Sequence, residues 1–284
     1  MAINLALFLG TVLTTVWAGA LQQGVNLLSD PGRFMVGVPY AAALLSILGV
    51  HEVGHYVAGR RHGVHVTLPY FIPAPIWLGT FGAFIQIKSM IKNRRAVFDI
   101  GIAGPVAGLV VALPALYFGL RSAPVIVEGA RTMGVHTGSS LLLALAYQLA
   151  QGGELGAAVI RLPPLALAGW IGVVVTALNL IPVGQLDGGH IASALFGERR
   201  ARQIGIAALL AMVGAGLFVR PGMLIWAVLI AVIAGVAPTP ALDGATPPDR
   251  KRFALGAVAL AVLVLTVVPL RGGLAETMAN CPYT

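Results

Sequence analysis

Apolar residues in this 284-residue chain fall into long unbroken stretches, not into the alternation of a half-buried strand or the one-sided stripe of a surface helix. The stretches cover residues 3–21, 34–58, 97–120, 165–180 continuing through 191–196, 203–219, 223–236 and 253–270. Several approach the roughly 20 residues a helix needs to cross hydrocarbon, while 223–236 is short. The pattern predicts an all-α polytopic membrane protein with about six to seven transmembrane helices. Between the second and third stretches the pattern changes. Residues 64–90 carry Pro69, Pro73 and Pro75, then β-branched and aromatic residues over 81–87 around Gly82, which predicts a loop and a short strand or hairpin.

Composition strengthens this picture. The chain is 58% hydrophobic and 10% charged, with a mean hydropathy of +0.89, values no ordinary soluble domain with a polar surface shows. A net charge of +8 would elsewhere suggest nucleic acid. Here the basic residues sort by loop, and no nucleic-acid partner is called for; the expected surroundings are a lipid bilayer. Loops that would share one side hold Arg60, Arg61, Lys88, Lys92, Arg94, Arg95, Arg199, Arg200, Arg202, Arg250, Lys251 and Arg252, against Arg33, Arg121, Arg131, Arg161, Arg220 and Arg271 opposite. Twelve against six predicts that the first set is cytoplasmic in a multi-pass cell-membrane protein, with the N-terminus inside.

The Ala18-Gly19-Ala20 site lacks the basic n-region of a signal peptide, so a retained first helix is expected. The single cysteine, Cys281, can form no internal disulfide, and the residues after it are not those of a prenylation box. Three regions follow: residues 1–33 as first helix and external loop, 34–196 as the central membrane core, and 197–284 as C-terminal helices and tail.

His51-Glu52-Val53-Gly54-His55 reads H-E-x-x-H inside the second apolar stretch. Residues four apart share a helix face, so both imidazoles can grip one zinc while Glu52 polarises a water. A charged group at the centre of a membrane helix costs roughly 2.5–3.5 kcal/mol, and a metal in a hydrated cavity is a reason to bear that cost. His55 lies about five residues, roughly 7–8 Å, from the cytoplasmic end of its helix, so the active-site opening is expected on that side.

A catalytic zinc usually takes a third protein ligand. Of the ten acidic residues, Asp30, Glu128, Glu154, Glu198, Asp243, Asp249 and Glu276 read as loop residues, and Asp99 starts a helix beside basic residues. Glu52 and Asp187 remain. Asp187 belongs to a stretch, 179–190, that breaks the apolar run with Pro182, Gly184, Gly188, Gly189 and polar side chains, and broken backbone at membrane depth belongs where protein or a cavity satisfies it. Asp187 could be a ligand or could cap the helix restarting at Gly188. The composition of the break favours the ligand, and His190, one turn on, is the rival.

H-E-V-G-H together with Asn179-Leu180-Ile181-Pro182-Val183-Gly184-Gln185-Leu186-Asp187-Gly188 resembles the paired motifs H-E-x-x-H and N-x-x-P-x-x-x-x-D-G of the site-2 protease family of intramembrane zinc metalloproteases. The segments 79–85 and 98–105 are similar to those of prokaryotic members and their plastid relatives, and the likeness spans roughly residues 34–196. The resemblance implies one Zn2+ held by His51, His55 and Asp187, with Glu52 as catalytic base. It also implies a membrane-dipping hairpin whose strand edge holds an unwound substrate by strand addition. Phe81, Gly82 and Phe84 are its candidate contacts, and Asn179 is a candidate donor to the polarised carbonyl. The expected activity is hydrolysis of peptide bonds within or near transmembrane segments of a membrane protein already trimmed by another protease. The 121–162 loop is too short for the PDZ domain some members insert.

Other features have simpler readings. Gly101, Gly104 and Gly108, with Ala103 and Ala107, give the third stretch a small face for close helix packing. His62 and His65 read as solvated. A metal transporter would also place His and Asp in a membrane, but no internal repeat is visible. An inactive scaffold would need neither the ligands nor Glu52.

Overall fold

The computed structural model describes residues 2–75, 78–125, 135–152, 154–156, 158–218, 222–235, 237, 241–244, 246 and 248–270. Arg131, Arg220, Arg271, Glu128, Glu276 and the Cys281 tail, weighed above, lie outside them. The helices are α1 (Ala2–Gln22), α2 (Val38–Arg61), α3 (Arg94–Leu120), α4 (Leu141–Gln151), α5 (Pro164–Asn179), α6 (Asp187–Phe196), α7 (Glu198–Phe218), α8 (Gly222–Ala234) and α9 (Arg250–Val267). Among the described residues three two-stranded pairings accompany them: β1 (Tyr70–Pro73) with β2 (Thr80–Phe84), β3 (Ile91–Asn93) with β6 (Ala241–Asp243), and β4 (Val135–His136) with β5 (Val159–Ile160). The protein is mostly helical, and α1, α2, α3 and α7 are long and apolar enough to cross a membrane; α4, α5 and α8 are apolar but shorter.

The helix boundaries follow local chemistry. Pro39 sits in the first turn of α2, where its missing N–H costs nothing. The Asn93 side chain accepts the Ala96 N–H at 2.9 Å to start α3. Asp249 caps α9 by accepting the Arg252 N–H at 3.2 Å, and this hydrogen bond holds its carboxyl below the usual range. The predicted stretch 165–196 divides into α5 and α6 around residues 180–186, as Pro182 dictates. The freed amides there are satisfied within the protein: Gln185 N–H donates to the Ala234 carbonyl at the end of α8, at 3.0 Å, and Leu186 N–H donates to Val183, at 3.1 Å.

At the centre, α2, α3 and α5 pack mutually against one another, and α6 continues against α3. One end of this bundle collects much of the basic set. The Arg94 guanidinium donates to the Ala194 and Leu195 carbonyls at the C-terminus of α6, at 2.8 and 2.9 Å. Arg252 of α9 grips Asp99 of α3 through two hydrogen bonds of 2.8 and 2.6 Å, and His62 Nε2 at the end of α2 is 2.9 Å from the same carboxylate. His62 is therefore paired and half-buried, a correction to its reading as solvated: the chain fold brings Asp99 to it across 37 residues. At the other end, α4 caps the helices, with Leu141 N–H on Val268 and Gln151 Nε2 on Leu120 and Ala123.

The β1–β2 pair forms a hairpin between α2 and α3. Its register pairs Tyr70 with Phe84, Phe71 with Ala83 and Ile72 with Gly82, and the ladder extends through the Val66–Ile87 bridge. Tyr70 and Phe84 stack across it at 5.4 Å. The ribbon lies along α1. Asn4 Nδ2 holds the Leu68 and Pro69 carbonyls, Phe71 meets Phe8 edge-on, and the Thr14 hydroxyl donates to Gly79 at the tip, at 2.6 Å. Gly79 has φ +79° and presses against the Thr15 backbone, a place no side chain fits.

Candidate metal centre

The first turns of the site are built by helix periodicity alone. His51, Glu52 and His55 are all buried on the inner face of α2, the two imidazoles stacked edge-on at 4.9 Å. Asp187 arrives from the distant break as the first residue of α6. Its carboxylate makes no capping hydrogen bond there, and among the described residues its buried Oδ2 has no hydrogen-bond partner. It faces the histidines instead: His51 Nε2 lies 3.3 Å from Oδ2 and His55 Nε2 lies 3.3 Å from Oδ1.

The tautomer of His55 can be assigned from its partner. Nδ1 is 2.7 Å from the Ile100 carbonyl, which can only accept, so Nδ1 carries the proton and Nε2 presents a lone pair. That Nε2 is 3.1 Å from His51 Nε2. Three atoms able to act as metal ligands thus converge at 3.1, 3.3 and 3.3 Å. Ligand atoms each about 2.1 Å from a tetrahedral zinc are separated by about 3.4 Å, so the triangle fits that ion closely. The Ile100 carbonyl supplies the outer hydrogen bond by which a metal-binding imidazole is oriented.

The glycines of α3 have a more specific use than helix packing. A methyl group at Gly104 would land on the His55 ring, one at Gly108 would stand 3.0 Å from His51 Nδ1, and one at Gly101 would stand 2.9 Å from His190 Cβ. The small face is therefore a seat for imidazoles. Spacing alone could not have revealed this, because a small-residue stripe looks the same whether a helix or a ring lies against it.

A cavity of about 190 Å3 opens beside the cluster, with Glu52 in its wall together with Phe84, Ile85, Asn179, Gln185 and His190. The Ile85 N–H is turned toward the Glu52 carboxylate, so the hairpin reaches the site directly. Of the residues expected there, Asn179 and Phe84 line the cavity. Phe81 does not: it is 69% exposed, and Gly82, with φ +105°, lies outside the lining as well. Alternation along β2 sends Phe81 and Phe84 to different surroundings, the bulge after Ile72 having shifted the register. His190, whose Nδ1 donates to the Leu186 carbonyl at 2.9 Å, lines the cavity but stands outside the three-residue cluster of converging ligand atoms. Gln185 was missed; only its place inside the polar break marked it.

The fold and site together define a helical membrane protein carrying two imidazoles and a carboxylate arranged for a metal, with a glutamate beside them. The chain belongs to peptidase family M50, the site-2 protease family, whose profile matches residues 39–221. It is 35% identical over 243 residues to the protein named probable zinc metalloprotease EGY1, chloroplastic, of Arabidopsis thaliana, covering 84% of this chain and 44% of that one. Similarity extends to probable zinc metalloprotease EGY2, chloroplastic, of Arabidopsis thaliana (30% over 239 residues; 82% and 42%). It extends also to probable zinc metallopeptidase EGY3, chloroplastic, of the same plant (32% over 265 residues; 87% and 45%). The chain spans less than half the length of these relatives. Family and apolar helices together make it a multi-pass membrane protein.

Proposed function

We propose that this protein is an intramembrane zinc metallopeptidase that hydrolyses peptide bonds within or near transmembrane segments of other membrane proteins. The observation that carries the reading is the convergence of His51, His55 and Asp187 beside Glu52, on a helix apolar and long enough to cross the bilayer. Zinc, when bound by these three residues, supplies a Lewis acid that polarises the substrate carbonyl and makes water nucleophilic at neutral pH. Glu52 takes the proton of the attacking water and returns it to the leaving nitrogen. Asn179, which lines the cavity, is the donor to the developing oxyanion in this reading.

A helical substrate must unwind to expose its peptide bonds, and β2 keeps one edge unpaired among the described residues. An opened segment adds to that edge and is led past Phe84 to Glu52. The ribbon contacts α1 from Asn4 to Thr14, about ten residues or roughly 15 Å along the helix, which supports a hairpin that dips to mid-bilayer depth. In this reading the chain makes seven passes in a cell membrane, α5 and α6 forming one interrupted pass. The basic end and the site opening face the cytoplasm, and the substrate has been shortened first by another protease.

The test is cleavage of a helical membrane substrate by purified wild type and Glu52→Gln, with zinc measured in both. Cleavage is lost and zinc is kept if Glu52 is the base. Unchanged cleavage by the variant overturns the assignment.

A further inference from the structure

A second cavity, about 470 Å3, lies on the opposite side of α2 from the metal centre. It is a trough over the seam between α2 and α3, walled by Val50, Val53 and Val57 on one side and Ala103 and Ala107 on the other. Val53 is 49% exposed and Val57 39%, so the trough opens outward to the surroundings of the bundle. Its α2 wall runs from Val50 to Arg61, about 16 Å at 1.5 Å per residue. That length matches the depth of one leaflet, half of a roughly 30 Å hydrocarbon core.

The two ends of the trough differ in chemistry. The inner end is wholly apolar, while the outer end is closed by Arg61, His62 and Asp99. Asp99 is already neutralised by Arg252 and His62. Arg61 is exposed, lines the trough and has no ion pair among the described residues, leaving a net positive charge where the apolar walls stop. An aliphatic groove one leaflet deep with a cation at its polar mouth is complementary to one molecule, a phospholipid whose acyl chain fills the trough and whose anionic headgroup meets the guanidinium.

We propose that the α2–α3 seam is a binding site for an anionic phospholipid, with one acyl chain between Val53, Val57 and Ala107 and the phosphate on Arg61. The site rests on the membrane reading of α2 and α3 and is independent of proteolysis. Its place gives it a use: the lipid braces, from the outer face, the helix whose inner face carries His51 and His55.

The experiment is native mass spectrometry of the full chain released from micelles containing equal dioleoyl-phosphatidylglycerol and dioleoyl-phosphatidylcholine. Wild type is expected to retain one phosphatidylglycerol in preference to phosphatidylcholine. Arg61→Gln should cut that preference about fivefold, the effect of one basic group at a lipid surface, whereas Arg60→Gln, outside the trough, should leave it largely intact. Val57→Phe, which fills the trough at an exposed position, should reduce retention of both lipids. Equal retention of the two lipids by wild type overturns the proposal. So does an equal loss from Arg60→Gln and Arg61→Gln, which would indicate diffuse surface attraction, or full retention by Val57→Phe. Glu52→Gln should bind lipid as wild type does, so a failed protease assignment leaves this result readable.

Discussion

Asp187 Oδ2 stands 3.3 Å from His51 Nε2, although 135 residues separate the two along the chain and no hydrogen bond joins them. A buried carboxylate oxygen left in this state costs free energy unless a cation completes its surroundings. Replacing Asp187 with Ala should therefore lower zinc affinity by more than about 100-fold, beyond what losing an outer-shell partner costs. His190→Ala should keep the metal, because His190 lines the cavity but lies outside the cluster of ligand atoms formed by His51, His55 and Asp187. Zinc content after dialysis against a graded chelator series measures both. The reverse order would make His190 the ligand.

Gly104 provides a sharper test, since it touches the site without offering any ligand atom. A methyl group there would overlap the His55 ring, so Gly104→Ala should displace the imidazole and abolish zinc retention while the helices stay folded. Gly108→Ala, whose added carbon would sit 3.0 Å from His51 Nδ1, asks for a shift of only a few tenths of an ångström and should weaken zinc by a smaller factor. Zinc stoichiometry alongside far-UV circular dichroism separates displacement from unfolding. Equal retention by the two variants would remove the steric argument.

How much of this was readable beforehand depended on whether the governing interaction was local. His51, Glu52 and His55 declare themselves because a four-residue spacing is one helix turn, and the 180–186 break declares itself because proline cannot continue a helix. The pairing of His62 with Asp99 and Arg252 depends on three helix ends meeting, which no local pattern encodes, so sequence alone leaves His62 looking solvated. Gly104 was read as a packing residue, correctly in kind, but the identity of what packs on it is a tertiary fact. Phe81 and Phe84 look alike in composition, but three residues apart in a strand they face opposite sides, and Phe81 is the extra residue at the bulge, so one turns away and the other toward the cavity.

The Arg252–Asp99 contact should carry measurable stability. Hydrogen bonds to charged groups contribute roughly 1.5–3 kcal/mol, and this bidentate pair is only partly shielded, so Arg252→Met should cost about 1–2 kcal/mol. Arg252→Lys should recover only part of that, since an ammonium cannot form the same fork. The double variant with Asp99→Asn should be less destabilised than the sum of its parts, as read from thermal unfolding in detergent. Strict additivity would mean that the two side chains do not act together.

Removing the metal should loosen the centre of the bundle. A ligand that binds only the folded state stabilises it by about 2.7 kcal/mol at a concentration 100 times its Kd, so chelation should lower the Tm and added zinc should restore it. The shift should vanish in Asp187→Ala and persist in Glu52→Gln, because Glu52 lies in the cavity wall outside the three-residue cluster. Differential scanning fluorimetry of the three proteins, with and without zinc, distinguishes the cases. A zinc-dependent shift surviving in Asp187→Ala would place the ion elsewhere.

The hairpin is held at its tip by α1 and α2 together: the Thr14 hydroxyl donates to Gly79 at 2.6 Å, and the Tyr40 hydroxyl donates to Leu78 at 3.0 Å. Tyr40 is fully buried, so Tyr40→Phe removes the hydrogen bonds of its hydroxyl with Leu78 and Gln22 without opening a cavity and should cost about 1–3 kcal/mol, leaving the Leu78 carbonyl under-satisfied. The metal cluster touches neither residue, so zinc content should stay at wild-type level. If β2 guides an unwound substrate to Glu52, loosening its anchor should act on substrate engagement, raising KM several-fold with a smaller change in kcat. The combined Thr14→Val, Tyr40→Phe variant should extend the KM effect further. A fall in kcat alone, with KM unchanged, would separate the hairpin from substrate binding and leave it a structural prop for Glu52 through the Ile85 N–H.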